Sequence, residues 1–183
     1  MPDLALKFRP ATRDDVETLL PLIRSAYRGE ESRAGWTTEA DLVEGERIDA
    51  TGLLQKIETP DSVVLVVTDE QDILLACCEV VWHADADAGY FGLFAVDPKR
   101  QGGGVGKQVL LYAEDYAKRQ WGARRMEMTV IWPRADIIAY YERRGFKKTG
   151  EQRPFPYELL ALINGRGLRD DLYFEVLVKD LEA

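Results

Sequence analysis

At 183 residues and 20.8 kDa the chain is long enough to bury one sizeable core, so a single domain spanning residues 1–183 is expected. Its 46% hydrophobic and 31% charged content suits a globular protein and excludes a fibrous or largely disordered one. A formal net charge of −8 argues against a general nucleic-acid binder, and no apolar run approaches the length of a membrane span, so neither nucleic acid nor membrane is an expected partner.

A short first strand is expected at residues 6–9. Thr12-Arg13-Asp14-Asp15 has the form of a capping box, and Val16, Leu19, Leu20, Ile23 and Tyr27 then recur at helical spacing. Thr38-Glu39-Ala40-Asp41 looks like a second cap, opening a short helix that stops near Gly45. Leu53, Leu54 and Ile57 suggest another turn or two, ended by Pro60. Residues 62–68 and 73–82 are β-rich runs joined by a polar turn, and a further turn leads into an apolar run at 90–96. Val109, Leu110, Ala113, Tyr116 and Ala117 give a helix over 107–120 a broad apolar face. A strand at 126–131, a helix at 137–144 and strands at 146–149 and 172–178 follow, with a long irregular segment at 151–171. This order predicts a mixed α/β fold: a mostly antiparallel twisted sheet of about six to seven strands with helices on both faces. A right-handed crossover makes the strands at Leu93 and Met128 parallel neighbours.

The start Met1-Pro2-Asp3-Leu4 lacks the basic-then-apolar form of a secretion signal, so a cytoplasmic location is expected. Cys77 and Cys78 are adjacent on a strand, point to opposite faces and are read as buried reduced thiols. With one histidine, His83, and no CxxC pair, no metal site is expected.

The most informative stretch is Val96-Asp97-Pro98-Lys99-Arg100-Gln101-Gly102-Gly103-Gly104-Val105-Gly106, where a strand hands over to a helix. Glycines at 102, 103, 104 and 106 let the chain turn tightly and let a ligand approach the backbone. The helix start adds unpaired N–H groups and a partial positive charge, and together these make a phosphate cradle. Two common phosphate patterns fail. A Gly-x-x-x-x-Gly-Lys-Ser/Thr loop would need a glycine at Gln101 and a hydroxyl residue at Gln108. A Gly-x-Gly-x-x-Gly turn would put Lys107 or Val109 at its third glycine. What remains is Gln101-x-x-Gly104-x-Gly106 after Val96-x-Pro98.

That pattern resembles the acyl-coenzyme A signature of the GNAT superfamily of N-acetyltransferases. Tyr140-Tyr141-Glu142-Arg143-Arg144-Gly145-Phe146 resembles the family's second signature block. Taken singly these are a glycine turn and a helix C-cap at Gly145, but each falls in the secondary structure its motif requires. The resemblance is specific over residues 89–150 and diffuse elsewhere. It implies transfer of an acetyl group from acetyl-CoA, as co-substrate and without a metal, to a primary amine of a small molecule or peptide. The diphosphate would rest on backbone N–H groups of Gln101, Gly102, Gly103, Gly104, Val105 and Gly106. Lys107 would either add a charge there or lie in solvent. Backbone groups of Phe94, Ala95 and Val96 would pair with the pantetheine arm like an added strand. Relatives commonly pair as homodimers, although no feature of this sequence marks a dimer face.

The reaction needs a neutral amine, and for a lysine-like amine of pKa near 10.4 deprotonation at pH 7 costs about 4.6 kcal/mol. Tyr141 matches the family's general acid and, with a phenol pKa of about 10, is already protonated at pH 7; Tyr140 is the fallback, read as core. Two positions depart from the family. Where relatives carry an asparagine, seven residues before the tyrosine, this chain has Arg134, expected as a solvated helix-start residue or as a contact to a phosphate or acidic acceptor group. Where many relatives carry a glutamate base this chain offers none, which leaves Glu79 and Glu127 on flanking strands, acting directly or through water, or else lying in solvent. Acceptor contacts are expected at residues 27–36, with Tyr27, Glu30 and Trp36 foremost, and at the loop 154–157. Glu30 and Glu31 would hold a cationic acceptor, Arg28 and Arg33 an anionic one, so acceptor charge is open. A coenzyme A-binding sensor without turnover is the alternative function. Transfer of a longer acyl chain would need a roomier channel beside Phe91 and Phe94.

Overall fold

The computed structural model describes residues 4–28, 30–101 and 103–181. The chain opens with β1 (Lys7–Pro10) and a 3-10 turn that leads into α1 (Val16–Tyr27). The predicted cap forms: the Thr12 N–H donates to the Asp15 carboxylate at 2.7 Å, and Arg9 donates two further bonds to the same group. α1 then buries Leu19, Leu22, Ile23 and Ala26 along one face. Next come β2 (Val43–Glu44), α2 (Ala50–Glu58), β3 (Ser62–Thr68), β4 (Leu74–His83) and β5 (Ala88–Val96). α3 (Val105–Trp121) forms the crossover to β6 (Arg125–Ile131), and α4 (Ala135–Glu142) follows. β7 (Lys147–Pro154), α5 (Tyr157–Ala161), β8 (Arg166–Gly167) and β9 (Tyr173–Asp180) complete the chain.

Seven strands form one sheet in the order β1-β3-β4-β5-β6-β9-β7, antiparallel except for the β5–β6 pair. Alternation along its strands supplies a core on each face. Leu65, Val67, Cys78, Val80 and Phe91 pack with α3 and α4, whereas Val64, Val66, Cys77, Leu93 and Ala95 pack with α1 and α2. Fully burying a side chain such as Leu19 or Leu53 is worth about 1.5–3 kcal/mol. Cys77 and Cys78 thus enter opposite cores, both free and buried, as their adjacency on a strand requires.

Two sequence expectations need correction. Residues 38–45 are turns followed by β2, not a helix. The Thr38 hydroxyl accepts the Ala40 N–H at 3.1 Å, and Glu39 is drawn inward to Arg28, so both side chains are engaged in interactions that compete with a helix start. Residues 151–171 are not irregular either. They contain half of β7, α5, and β8, which pairs with β2. β7 is an exposed edge strand of mostly polar residues, so it carries no apolar alternation to read. The strands at Leu93 and Met128, β5 and β6, are parallel neighbours as expected, and their pairing stops at Tyr90–Glu127.

That early stop shapes the whole molecule. Between Cys77↔Ala95 and Glu79↔Gly92, β5 spends one more residue than β4, a bulge that places Leu93 at φ +46°. A bulge bends its strand, and here the bend leads β5 away from β6. Beyond Tyr90 the β5 backbone therefore has no ladder partner on that side among the described residues.

Arg28, just past α1, and Glu39 form an ion pair at 3.3 Å with side chains only 5% and 10% exposed. Burial pushes the Arg28 guanidinium pKa below its ordinary value, partly offset by the nearby Glu39 charge. Replacing Glu39 by Leu leaves a buried cation without its counter-charge. The expected loss is about 3 kcal/mol, read as a fall of roughly ten degrees in the thermal midpoint.

Candidate active site

The split between β5 and β6 opens into a cavity of about 910 Å³. Its walls come from both faces of the sheet: Phe91, Met128 and Val130 from the α3 side, Glu79, Tyr90 and Thr129 from the α2 side. A slot that passes through a sheet suits an extended ligand whose ends do different things.

At one end lies the glycine turn. Asp97 accepts the Lys99 N–H at 3.0 Å and sets a short 3-10 turn over Pro98–Arg100. Gly104 then takes φ +81°, a left-handed conformation that glycine adopts without a Cβ clash, and α3 begins at Val105. A Cβ added at Gly104 would meet nothing within 4 Å, so the turn faces open space. A Cβ at Gly106 would lie 3.0 Å from the Tyr140 hydroxyl and 3.4 Å from the Phe94 ring, so a side chain there would narrow the slot. First-turn amides without intrahelical partners, open space above them and no side chain in the way fit a diphosphate group.

Of the residues expected at this end, Phe94, Val96, Gln101, Gly104, Gly106 and Lys107 line the cavity. Gly103 is exposed on the turn, whereas Ala95 and Val105 direct their side chains into the two cores and offer only backbone. Gly102 lies outside the described residues. The Gln101 side chain does not stand free for a ligand. Its Nε2 donates to the Thr37 hydroxyl at 2.7 Å and to the Val96 carbonyl at 3.3 Å, and its Oε1 accepts the Trp36 N–H at 3.0 Å.

Gln101 therefore ties the 35–38 loop to the glycine turn, and Arg134 ties the same loop to α4. Arg134 Nη1 donates to the carbonyls of Thr37 (3.3 Å) and Thr38 (2.7 Å), and Nη2 to that of Trp36 at 3.2 Å. Its side chain is 12% exposed, so the expectation of a solvated helix-start arginine is overturned. The three carbonyls converge only once the loop folds over α4, which local sequence does not reveal. Removing this strut loosens the loop. Arg134→Ala is expected to raise the acceptor KM about tenfold, the scale of a lost charged hydrogen bond, with little change in coenzyme A affinity, as steady-state kinetics and titration would show.

Tyr141 lines the middle of the slot, packed edge-on against Phe146 at 5.8 Å. Burial holds its phenol pKa well above the usual 10. Its hydroxyl makes no hydrogen bond to any described residue. Tyr140 is not the core residue that the family resemblance had implied. It lines the cavity beside Trp36 (5.1 Å between rings), under the Arg144 guanidinium at 3.5 Å.

The far end lies on the α1 and α2 side. Glu79 is there, 5% exposed, with both oxygens accepting from Lys56 Nζ at 2.8 and 2.9 Å. Glu127 is 12% exposed and paired with Arg153 at 2.8 Å. Neither is the solvent-facing residue that a strand position allowed. His83 is exposed at the cavity rim, 5.7 Å from the Tyr90 ring. Tyr27 lines the cavity, and Trp36 does so while remaining 42% exposed. Glu30 does not belong to it. The segment Glu30–Ala34 forms a 3-10 turn that points Glu30 outward, 89% exposed and paired with Arg33, on the edge of a separate groove. Sequence reasoning missed Arg47 and Arg144, which both line the cavity. Arg144 sits inside the second signature block and could have been named from it; Arg47 lies in an aperiodic loop with no local signal.

Among the described residues no group of three His, Cys, Asp or Glu side chains is placed to hold a metal ion, and no helix is long and apolar enough to cross a membrane.

A sequence profile of the acetyltransferase (GNAT) family matches residues 20–146. No curated protein sequence matches the chain. Among solved structures, a spermidine N-acetyltransferase SpeG chimera from Vibrio cholerae and hSSAT aligns with a TM-score of 0.68 at 18% identity, over 96% of this chain and 95% of that one. The ribosomal-protein-S18-alanine N-acetyltransferase from Escherichia coli aligns at 0.67 and 14% identity, over 98% and 96%. PaiA N-acetyltransferase from Thermoplasma acidophilum, in complex with coenzyme A, aligns at 0.67 and 19% identity, over 97% and 99%. At these identities the likeness is one of fold.

Proposed function

Because the chain belongs to the acetyltransferase (GNAT) family, we propose that it transfers an acetyl group from acetyl-CoA to a primary amine of a small molecule or peptide by direct attack, with Tyr141 as the acid. The observation that carries this reading is the split between β5 and β6, with the glycine turn at one end and, in its wall, the Tyr141 hydroxyl, which makes no hydrogen bond to a described residue. Acetyl-CoA, when bound, supplies the activated acyl group and a thiolate leaving group.

The residues divide the work along the slot. Amides of the first turn of α3, with those of Gly103 and Gly104, hold the diphosphate, and Lys107 adds a positive charge at its edge. The unpaired edge of β5 from Phe94 to Val96 aligns the pantetheine arm by backbone bonds. A β5 N–H freed by the bulge near Phe94 stabilises negative charge on the carbonyl oxygen as the amine attacks. Tyr141 Oη donates its proton to the departing sulfur. The Phe91 and Phe94 rings meet edge-on at 5.0 Å beside the slot, which favours acetyl over a longer chain.

The attacking amine must shed a proton. Glu79 is the carboxylate best placed on the acceptor side, and it takes the proton directly or through an intervening water. Enclosure of the amine in the cavity adds to this by disfavouring the ammonium form.

Incubation with acetyl-CoA and a panel of amines, followed by product mass and free-thiol release, tests the proposal. Acceptor-dependent release with a matching acetylated product supports it. Coenzyme A binding with no such release would point instead to a sensor that binds without turnover.

A further inference from the structure

We infer that the acceptor carries a carboxylate as well as its amine, and that Arg47 and Arg28 hold that carboxylate at the α2 end of the cavity. The inference rests on the amine acetyltransferase reading above and narrows its substrate class.

The charges lining this end almost all cancel in pairs. Arg28 meets Glu39 at 3.3 Å, Lys56 meets Glu79 at 2.8 Å, and Arg153 meets Glu127 at 2.8 Å. Arg47 is left over. Its guanidinium lies 4.4 Å above the Tyr27 ring and makes no hydrogen bond or ion pair with any described residue; Glu39 and Glu79 act on it only through space. Arg28 is only half satisfied, because its Nη1 is buried with no hydrogen-bond partner among the described residues. Both arginines line the cavity.

A guanidinium cannot shed its proton to escape a poorly hydrated site, so an unmatched one calls for an anion. The Tyr27 ring holds Arg47 by a cation–π contact, and the guanidinium N–H groups have no hydrogen-bond partner among the described residues. A planar fork matches a carboxylate with two parallel bonds, which a lysine in that place would not.

The same pairing disfavours a polyamine. A second ammonium group would need a free carboxylate, yet Glu39 and Glu79, the carboxylates lining this cavity, are each engaged by a cation. Glu30, the acidic residue expected from the sequence to receive a cation, points away into the other groove with Glu31.

The test compares kcat/KM for matched acceptors with acetyl-CoA: amino acids and dipeptides, their methyl esters, the amines lacking the carboxyl group, and spermidine. The wild-type protein is expected to prefer each acid over its ester by about ten- to a hundredfold, the range set by a charge-assisted bond pair. Arg47→Gln is expected to bring that ratio close to one, and Arg47→Lys to retain part of it. The acid-to-ester comparison needs no variant, so it stands even if Arg47→Gln folds poorly. Esters or spermidine used as well as the acids would overturn the carboxylate inference and leave the acetyltransferase reading intact. Failure to acetylate any amine would overturn both.

Discussion

Tyr141→Phe is expected to lower kcat by about a hundredfold or more while coenzyme A affinity stays close to that of the wild type, because a positioned general acid contributes on that scale. The substitution removes one oxygen from the cavity wall and leaves the ring packed on Phe146. No hydrogen bond within the described residues is lost with it, so any loss of turnover reports chemistry and not packing. The pH profile adds a second check. Burial raises the Tyr141 pKa above the ordinary 10. An acid whose pKa is raised keeps its proton as pH rises, so kcat should show no descending limb from this group below pH 10. Turnover unchanged in the Phe variant would remove the acid assignment.

Gly104→Glu is expected to weaken coenzyme A binding by about a hundredfold or more, the scale of losing one or two charge-assisted phosphate bonds. Two effects add. A residue with a Cβ is strained at φ +81°, at a cost of about 1–2 kcal/mol. The carboxylate also enters the space that the anion needs. Gly104→Ala separates them, since its methyl group would meet nothing within 4 Å and brings no charge. Calorimetric titration should therefore show a small loss for Ala and a large one for Glu. Equal affinities for the two variants would mean that the turn does not hold the diphosphate.

The glycine turn and the block around Tyr141 were legible because their determinants are local. A glycine turn between strand and helix is written in consecutive residues, and so is the block around Tyr141. Elements with strong periodicity, α1 and α3 foremost, were legible for the same reason, since each buries a stripe that its own sequence displays. β7 was cut short in the sequence reading because an exposed edge strand of Lys, Thr, Glu, Gln and Arg offers no apolar pattern.

The acceptor end was not legible, and Glu30, Arg134 and Arg47 show why. Glu30 looked like a cation receptor, but a 3-10 turn of its own segment carries it outside. Arg134 replaces an asparagine and becomes a strut, because carbonyls nearly a hundred residues away in the chain meet it. Arg47 has no direct carboxylate partner among the described residues, because Glu39 and Glu79, which act on it through space, are bonded to Arg28 and Lys56.

By itself, then, the amino-acid order determined the family, the glycine turn, the candidate acid and the mixed α/β architecture, since these rest on contiguous residues and on the periodicity of single elements. The tertiary structure alone decided where the sheet splits, which charges find partners and which guanidinium at the α2 end lacks a bonded carboxylate. Those outcomes depend on contacts between distant segments, and a charge is matched or unmatched only in three dimensions.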